Sequence, residues 1–271
     1  MININGINLD KEFIFSGGEV QIRLPDLGSF DKWGVIRVNC VLNSSDEIMK
    51  MLMVSDAIER EFQGTQMVIF NIGYLPYARQ DRACYKGEAF AAEMMGKILG
   101  LLKYDNLNVV DVHSPEAFNT LPENTYYRTS LDVIKAKVDM SPYDAIVCPD
   151  GGAYEKTKAI ADYFELPLIR CEKVRDPRNG WITDFNIVDN IDKISGNRLL
   201  VVDDICDGGK TFEMLADAVR MFNPTSLDLY VTHGIFSKGV KPLYDAGYDK
   251  LITTDSFYQG EDRKLLQVIK L

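Results

Sequence analysis

Residues 199–211 read LLVVDDICDGGKT, a spacing suited to handling an anion beside hydroxyl groups. The apolar start has the makings of a buried strand that delivers Asp203 and Asp204 to its carboxyl end, where ligands bind in open α/β sheets. Asp207, Gly208, Gly209, Lys210 and Thr211 follow and open a helix. Glycines let the backbone approach an anion, and a helix N-terminus presents unpaired N–H groups to it. Two adjacent carboxylates repel a phosphate but accept hydrogen bonds from vicinal hydroxyls. Together these features point to a sugar phosphate, with the acids on ribose hydroxyls and the loop on the phosphate. Gly209-Lys210-Thr211 is also the end of a P-loop, but that motif needs glycine at position 204, which is Asp. A plain Gly-rich turn capping a helix leaves two carboxylates after a buried strand unexplained.

Short apolar strands alternating with helices must position this loop. Strands are expected at 34–41, 67–72, 109–112, 145–148, 166–171, 199–203, 227–231 and 251–254. Residues 44–47 (SSDE) offer a capping box for a helix carrying Ile48, Met51, Leu52, Ile58 and Phe62. Further helices are expected at 88–102, with Phe90, Met94, Ile98 and Leu102 on one face, and at 152–164 and 211–222. The rhythm implies an α/β fold of mostly parallel sheets flanked by helices. Polar residues interrupt it near 122–128, which divides the chain into halves 1–124 and 125–271.

Composition excludes several classes. Thirty Lys and Arg against 40 Asp and Glu give a net charge of −10, which argues against a general nucleic-acid binder. With 46% hydrophobic residues the chain has material for a core, and two histidines exclude a His-rich metal cluster. The five cysteines form no C-x-x-C pair. No signal peptide and no apolar stretch of membrane length is visible. The expectation is a reduced, soluble, cytoplasmic protein.

The loop at 203–211 resembles the phosphoribosyl-diphosphate-binding signature of the type I phosphoribosyltransferases, and other segments resemble the ribose-phosphate diphosphokinases within that superfamily. Phe15-Ser16-Gly17-Gly18-Glu19 is similar to that family's F-S-D-G-E, and Tyr77-Ala78-Arg79-Gln80-Asp81-Arg82 matches its Y-A-R-Q-D-R. Asp111-Val112-His113-Ser114 resembles D-L-H-A, Pro149-Asp150-Gly151-Gly152 resembles P-D-x-G-G, Lys173-Val174-Arg175 resembles K-R-R, and Thr232-His233-Gly234 matches T-H-G. The resemblance runs over nearly the whole chain in the right order.

It implies two phosphoribosyltransferase-like domains, with ATP on the first and the ribose-phosphate loop on the second. The implied reaction moves the β,γ-diphosphate of ATP to the 1-hydroxyl of ribose 5-phosphate, with Mg²⁺ as cofactor. By the same resemblance, Phe15, Glu19, Arg79, Gln80, Asp81 and Arg82 bind ATP, and Arg82 has a surface ion pair as its alternative role. His113 and Asp150 lie at the metal–triphosphate end, where His113 has phosphate or a bound water as alternative partners. Lys173 and Arg175 would be catalytic cations on a closing loop, EKVRDPRNGW, whose alternative is a solvated hairpin. Asp203, Asp204, Asp207, Gly208, Gly209, Lys210 and Thr211 would hold the ribose phosphate. His233 reads as structural. A homo-oligomer is implied, with F-S-D-G-E reaching toward a neighbour's ATP.

The chain departs from the family at three positions. Gly17 replaces an Asp, Gly208 replaces a Thr, and Lys210 replaces the last Gly of D-D-x-x-D-T-x-G-T. The gained cation admits a larger acceptor, a ribose 5-phosphate ester such as ADP-ribose. A phosphoribosyltransferase and a catalytically silent regulatory subunit are the remaining alternatives. YARQDR and Lys173/Arg175 argue against the first; His113, Asp150, Lys173, Arg175, Asp203 and Asp204 argue against the second.

Overall fold

The computed structural model describes residues 1–26, 34–175, 178, 182–260 and 264–271. The chain forms two compact units, Met1–Thr129 and Ser130–Leu271.

The first unit begins with β1 (Ile2–Ile4), β2 (Ile7–Asn8), β3 (Lys11–Ile14) and β4 (Val20–Arg23). Strand β5 (Val35–Cys40), helix α1 (Ser45–Phe62), β6 (Met67–Ile72), α2 (Ala91–Leu99), β7 (Asn106–Val110), the short α3 (Pro115–Phe118) and β8 (Thr125–Arg128) follow. The six-stranded sheet runs β2-β1-β5-β6-β7-β8, with β5 to β8 parallel. One face is apolar: Ile36, Val38, Val68, Phe70, Leu107 and Val109 are all buried. The other carries a ladder of asparagines in register. Asn39 donates to Asn3 at 2.9 Å, Asn71 to Asn39 at 2.8 Å, and Asn108 to Asn71 at 2.7 Å. Because side chains alternate with period two, a one-residue slip would put these amides in the core, so the ladder fixes the register.

Half of the expected capping box is present: the Ser44 hydroxyl accepts from Glu47 N–H at 3.3 Å, while the Glu47 carboxylate takes the Met1 amine and Lys50. Helix α1 then buries Ile48, Met51, Val54 and Ile58. Its Lys50 donates to Glu12 on β3 at 2.6 Å and to Glu47 at 3.0 Å, tying the β3–β4 hairpin to the helix.

Helix α2 differs from the expected face. It buries Ala92, Met95, Gly96 and Leu99, while Met94 is 51% exposed. Small residues make this face because the neighbouring backbone comes close: a Cβ on Gly96 would lie 2.0 Å from the Thr120 carbonyl oxygen. Gly96→Ala therefore sets a helix-propensity gain of about 1 kcal/mol against an overpacking cost of about 1–3 kcal/mol. With backbone as the obstacle, overpacking wins, so the urea midpoint falls. An unchanged or higher midpoint refutes this.

The second unit comprises α4 (Ser130–Lys137), β9 (Ala145–Cys148), α5 (Tyr154–Phe164), β10 (Leu168–Arg175), β11 (Ile182–Asp189), β12 (Arg198–Cys206), α6 (Lys210–Arg220), β13 (Ser226–Gly234), α7 (Lys241–Asp245), β14 (Lys250–Thr254) and β15 (Leu266–Ile269). Its seven-stranded sheet runs β11-β10-β9-β12-β13-β14-β15, parallel except for the β10–β11 pair. Strand β9 is buried at all four positions, as a parallel strand covered on both faces must be. Helix α6 buries Phe212, Leu215, Ala216 and Val219, one apolar stripe, against the sheet.

Several boundaries shift from the sequence expectation. Residues 125–128 pair with β7 as an edge strand of the first sheet, so the units meet after Thr129 rather than after 124. Strand β10 continues through Lys173 to Arg175, and a further strand, β15, follows 251–254. Among the described residues no helix is long and apolar enough to cross a membrane.

Candidate functional site

In the second unit, the carboxyl ends of β9, β10 and β12 bring together four of the expected residues. Asp150 follows β9 and caps a short 3₁₀ turn: its Oδ1 accepts from Gly152 N–H at 2.8 Å and Ala153 N–H at 3.1 Å. Its Oδ2 is ion-paired with Lys173, which β10 carries in register with Phe185 of β11. Burial by itself would raise the Asp150 carboxyl. The Lys173 ammonium and the two backbone donors outweigh it and hold the group below the ordinary carboxylate range.

Asp203 and Asp204 lie inside β12, beyond the last rung that pairs with β9 at Val201. They therefore project where the neighbouring strand has ended. Asp204 is buried and Asp203 partly so. The Asp204 N–H donates to Asp203 Oδ1 at 2.8 Å. Burial first, and the adjacent Asp204 charge second, push the Asp203 acid well above its ordinary range. Lys156 of α5, which sequence reasoning missed, stands 3.9 Å from Asp204 Oδ1. A single lysine on a helix carries no signal of its own; its partner is 48 positions away in sequence.

The chain then turns through Asp207 and Gly208 into α6. Gly209 is the N-cap at φ +80°, a left-handed conformation that favours glycine, and no side chain caps the helix. The first turn thus keeps the open N–H set that an anion requires. Gly208 sits beside Ser237 and Lys238: a Cβ there would lie 3.6 Å from the Lys238 side chain. Lys210 is exposed and its Nζ lies 3.3 Å from Glu213 Oε2. Thr211 follows in the same helical turn.

His233 is structural, as expected. It is buried on β13 with Nδ1 2.7 Å from the Ser256 hydroxyl, which donates to the Thr232 carbonyl at 3.0 Å. Gly234 must be glycine, since a Cβ would lie 2.3 Å from the Phe236 ring. Of the two readings of EKVRDPRNGW, closing loop and hairpin, the described residues show the hairpin: β10 and β11 pair antiparallel, and Lys173 lies on β10. Residues 176, 177 and 179–181, and the side chain of Arg175, lie outside the described residues.

In the first unit, the turn after β6 and the end of β7 converge. Tyr77 has φ +64°, which turns the chain sharply after Leu75. Arg79 and Gln80 are exposed, and Gln80 O accepts from Ala92 N–H at 3.2 Å, joining the turn to α2. Asp81 is buried and accepts from Arg82 Nε at 3.0 Å and Nη2 at 3.2 Å. Arg82 foremost, opposing burial and helped by Ser114 and His113, holds the Asp81 carboxyl below its ordinary range. Of the two roles open to Arg82, the structure shows the ion pair. His113 is exposed just past β7, rather than a buried structural histidine. Phe15 and Glu19 lie apart from this cluster, in the turn of the β3–β4 hairpin, where Phe15 N–H donates to Glu19 O at 2.8 Å. Phe15 is 49% exposed and packs edge-on against Phe13. A Cβ on Gly17 would lie 2.9 Å from Glu19 Oε2, so the side chain the family carries there would displace Glu19.

Comparison with known proteins bears on both units. Residues 131–265 match the family model described as phosphoribosyl transferase domain. The chain is 30% identical over 247 residues to the ribose-phosphate pyrophosphokinase of Pyrococcus furiosus, covering 89% of this chain and 84% of that one. The enzyme of the same name from Listeria innocua is 26% identical over 271 residues, covering 95% and 81%. The phosphoribosylpyrophosphate synthetase of Mycobacterium smegmatis superposes with a TM-score of 0.78 at 19% identity, covering 98% of this chain and 87% of that one, which shows the same fold. The motifs, the fold and the relatives' identity agree, and the chain belongs to the ribose-phosphate pyrophosphokinase family of transferases.

Proposed function

We propose that the protein transfers the β,γ-diphosphate of ATP to the 1-hydroxyl of ribose 5-phosphate, giving phosphoribosyl diphosphate and AMP. The observation that carries this reading is the carboxylate pair Asp203–Asp204 beside a helix start opened by Gly209, which we read as a diol acceptor next to a phosphate cradle. On the first unit, exposed Arg79, Gln80 and His113, with Asp81–Arg82, are assigned to ATP, as are Phe15 and Glu19 of the hairpin. Transfer of this kind is in-line attack of the sugar oxygen on the β-phosphorus, so the protein's work is positioning and charge stabilisation. Lys173 and Arg175 are assigned the charge on the transferring group, and Lys173 is held meanwhile by Asp150.

The donor set fits magnesium carried on the triphosphate. Among the described residues no three His, Cys, Asp or Glu side chains converge as a cage, and magnesium characteristically takes one or two carboxylates plus substrate oxygens. Asp150 is the group of the second unit we assign to hold it; when bound, it offsets the triphosphate charge. Ribose 5-phosphate is preferred over a larger ester because the Lys210 cation is already engaged by Glu213. The exposed Ile14 and Phe15 at the hairpin tip support a homo-oligomer.

Incubation with ATP, Mg²⁺ and either ribose 5-phosphate or ADP-ribose tests the reading. AMP should form with ribose 5-phosphate, cease in EDTA and return with added Mg²⁺. No AMP with either acceptor refutes the diphosphokinase reading and favours a silent subunit. ADP in place of AMP indicates an ordinary kinase.

A further inference from the structure

The carboxyl ends of β9 and β12 set three acids, Asp150, Asp203 and Asp204, within electrostatic reach of one another. Like charges this close do not all ionise unaided. Lys173 answers Asp150. The remaining pair faces Lys156 of α5, whose Nζ is 3.9 Å from Asp204 Oδ1, with the two side chains only 17% and 7% exposed.

The position of Lys156 on its helix is informative. It lies one turn before Ile160, which is fully buried, and so belongs to the core-facing stripe. Lys158, two positions on, takes a more ordinary place for a lysine, its side chain 45% exposed and paired with Asp162 across one turn. Placing a lysine on the inward stripe costs free energy unless a carboxylate answers it. An apolar residue would fill the position at lower cost, so packing does not account for a cation there.

We infer that Lys156 is a positioning residue for ribose 5-phosphate, its ammonium orienting the Asp204 carboxylate, and with it the adjoining Asp203, to accept hydrogen bonds from the sugar's vicinal hydroxyls. The inference rests on the proposed diphosphoryl transfer. Asp203 is also faced by Asp150, by Cys148 of β9, by Cys206 of its own strand and by Tyr248 after α7. Burial keeps those thiols and that phenol neutral by pushing all three upward. Of the groups named, Lys156 carries the positive charge. Without it, the Asp204 carboxylate loses the cation that fixes its direction, and the sugar's hydroxyls meet a less ordered acceptor.

The test uses the full chain with Lys156→Met, Lys156→Gln and Lys156→Arg, assayed for AMP. Both neutral variants should raise KM for ribose 5-phosphate about 30-fold, with kcat and the KM for ATP within about threefold of the parent. Lys156→Arg should restore the KM for the sugar. Calorimetric titration of ribose 5-phosphate into the ATP-free protein should show the same loss of affinity. A KM for the sugar unchanged in Lys156→Gln, or no recovery in Lys156→Arg, overturns the inference. Absence of AMP formation by the parent chain overturns the functional reading itself, and is read before any variant is made.

Discussion

Replacing Lys173 by alanine lowers kcat about 100- to 1,000-fold, the loss typical of one electrostatic contact made to a developing charge. Lys173 is ion-paired with Asp150, and its strand position holds it in register with buried Phe185 of β11. The substitution also leaves Asp150 with its two backbone donors but no cation. The resulting exposure of a partly buried carboxylate costs about 1–3 kcal/mol of stability. That loss has a pH signature. The Asp150 pKa is lowered in the folded protein, so its contribution is full above the unfolded value of about 3.9 and disappears as pH falls through the lowered value. Lys173→Ala should therefore unfold earlier than the parent at pH 7 and converge with it at acid pH. Lys173→Arg keeps the charge and so should keep most of the stability, while recovering activity only in part because a planar fork replaces a point charge. If kcat for Lys173→Ala stays within threefold of the parent, the catalytic assignment is wrong.

The candidate site was legible where chemistry overrides local propensity. No packing argument explains Asp203 and Asp204 at the end of LLVV, and none explains two glycines before Lys210, so these residues announced a ligand. The extent of the strands was hidden for the same reason. Residues 204–206 and 172–175 read as loop, yet β12 continues to Cys206 and β10 to Arg175 because neighbouring strands supply the hydrogen bonds. The early strands β1 and β2 were missed because they are short and interrupted by asparagines, and Asn3 becomes intelligible only beside Asn39, Asn71 and Asn108. Helix α2 misled in another way. Its larger residues suggested one face, but the close approach of Thr120 selects Ala92 and Gly96 for burial. Lys156 had no local signal, since the feature that distinguishes it is a contact made across the fold.

The second large effect is expected at Asp203, where function and stability should move in opposite directions. Asp203→Asn replaces a charged acceptor by a neutral amide. A hydrogen bond to a charged group is worth about 1.5–3 kcal/mol, so KM for ribose 5-phosphate should rise about 10- to 100-fold, with the KM for ATP little changed. In the folded protein Asp203 holds its proton more tightly than in the unfolded chain, because burial and Asp204 both oppose its ionisation. Folding therefore takes up protons there, and the parent's stability falls as pH rises from about 3.9 through the raised value. The amide does not titrate. Asp203→Asn should accordingly be more stable than the parent at pH 8, by about 1 kcal/mol, and the difference should vanish near pH 3. Sugar binding follows the opposite course: it strengthens as Asp203 ionises, so the parent's affinity should climb with pH while that of Asp203→Asn stays flatter. Urea unfolding and calorimetric binding across the same pH range measure both slopes. A variant that is less stable than the parent at pH 8 and binds the sugar equally well would show Asp203 to be a structural carboxylate, and the diol assignment would fall with it.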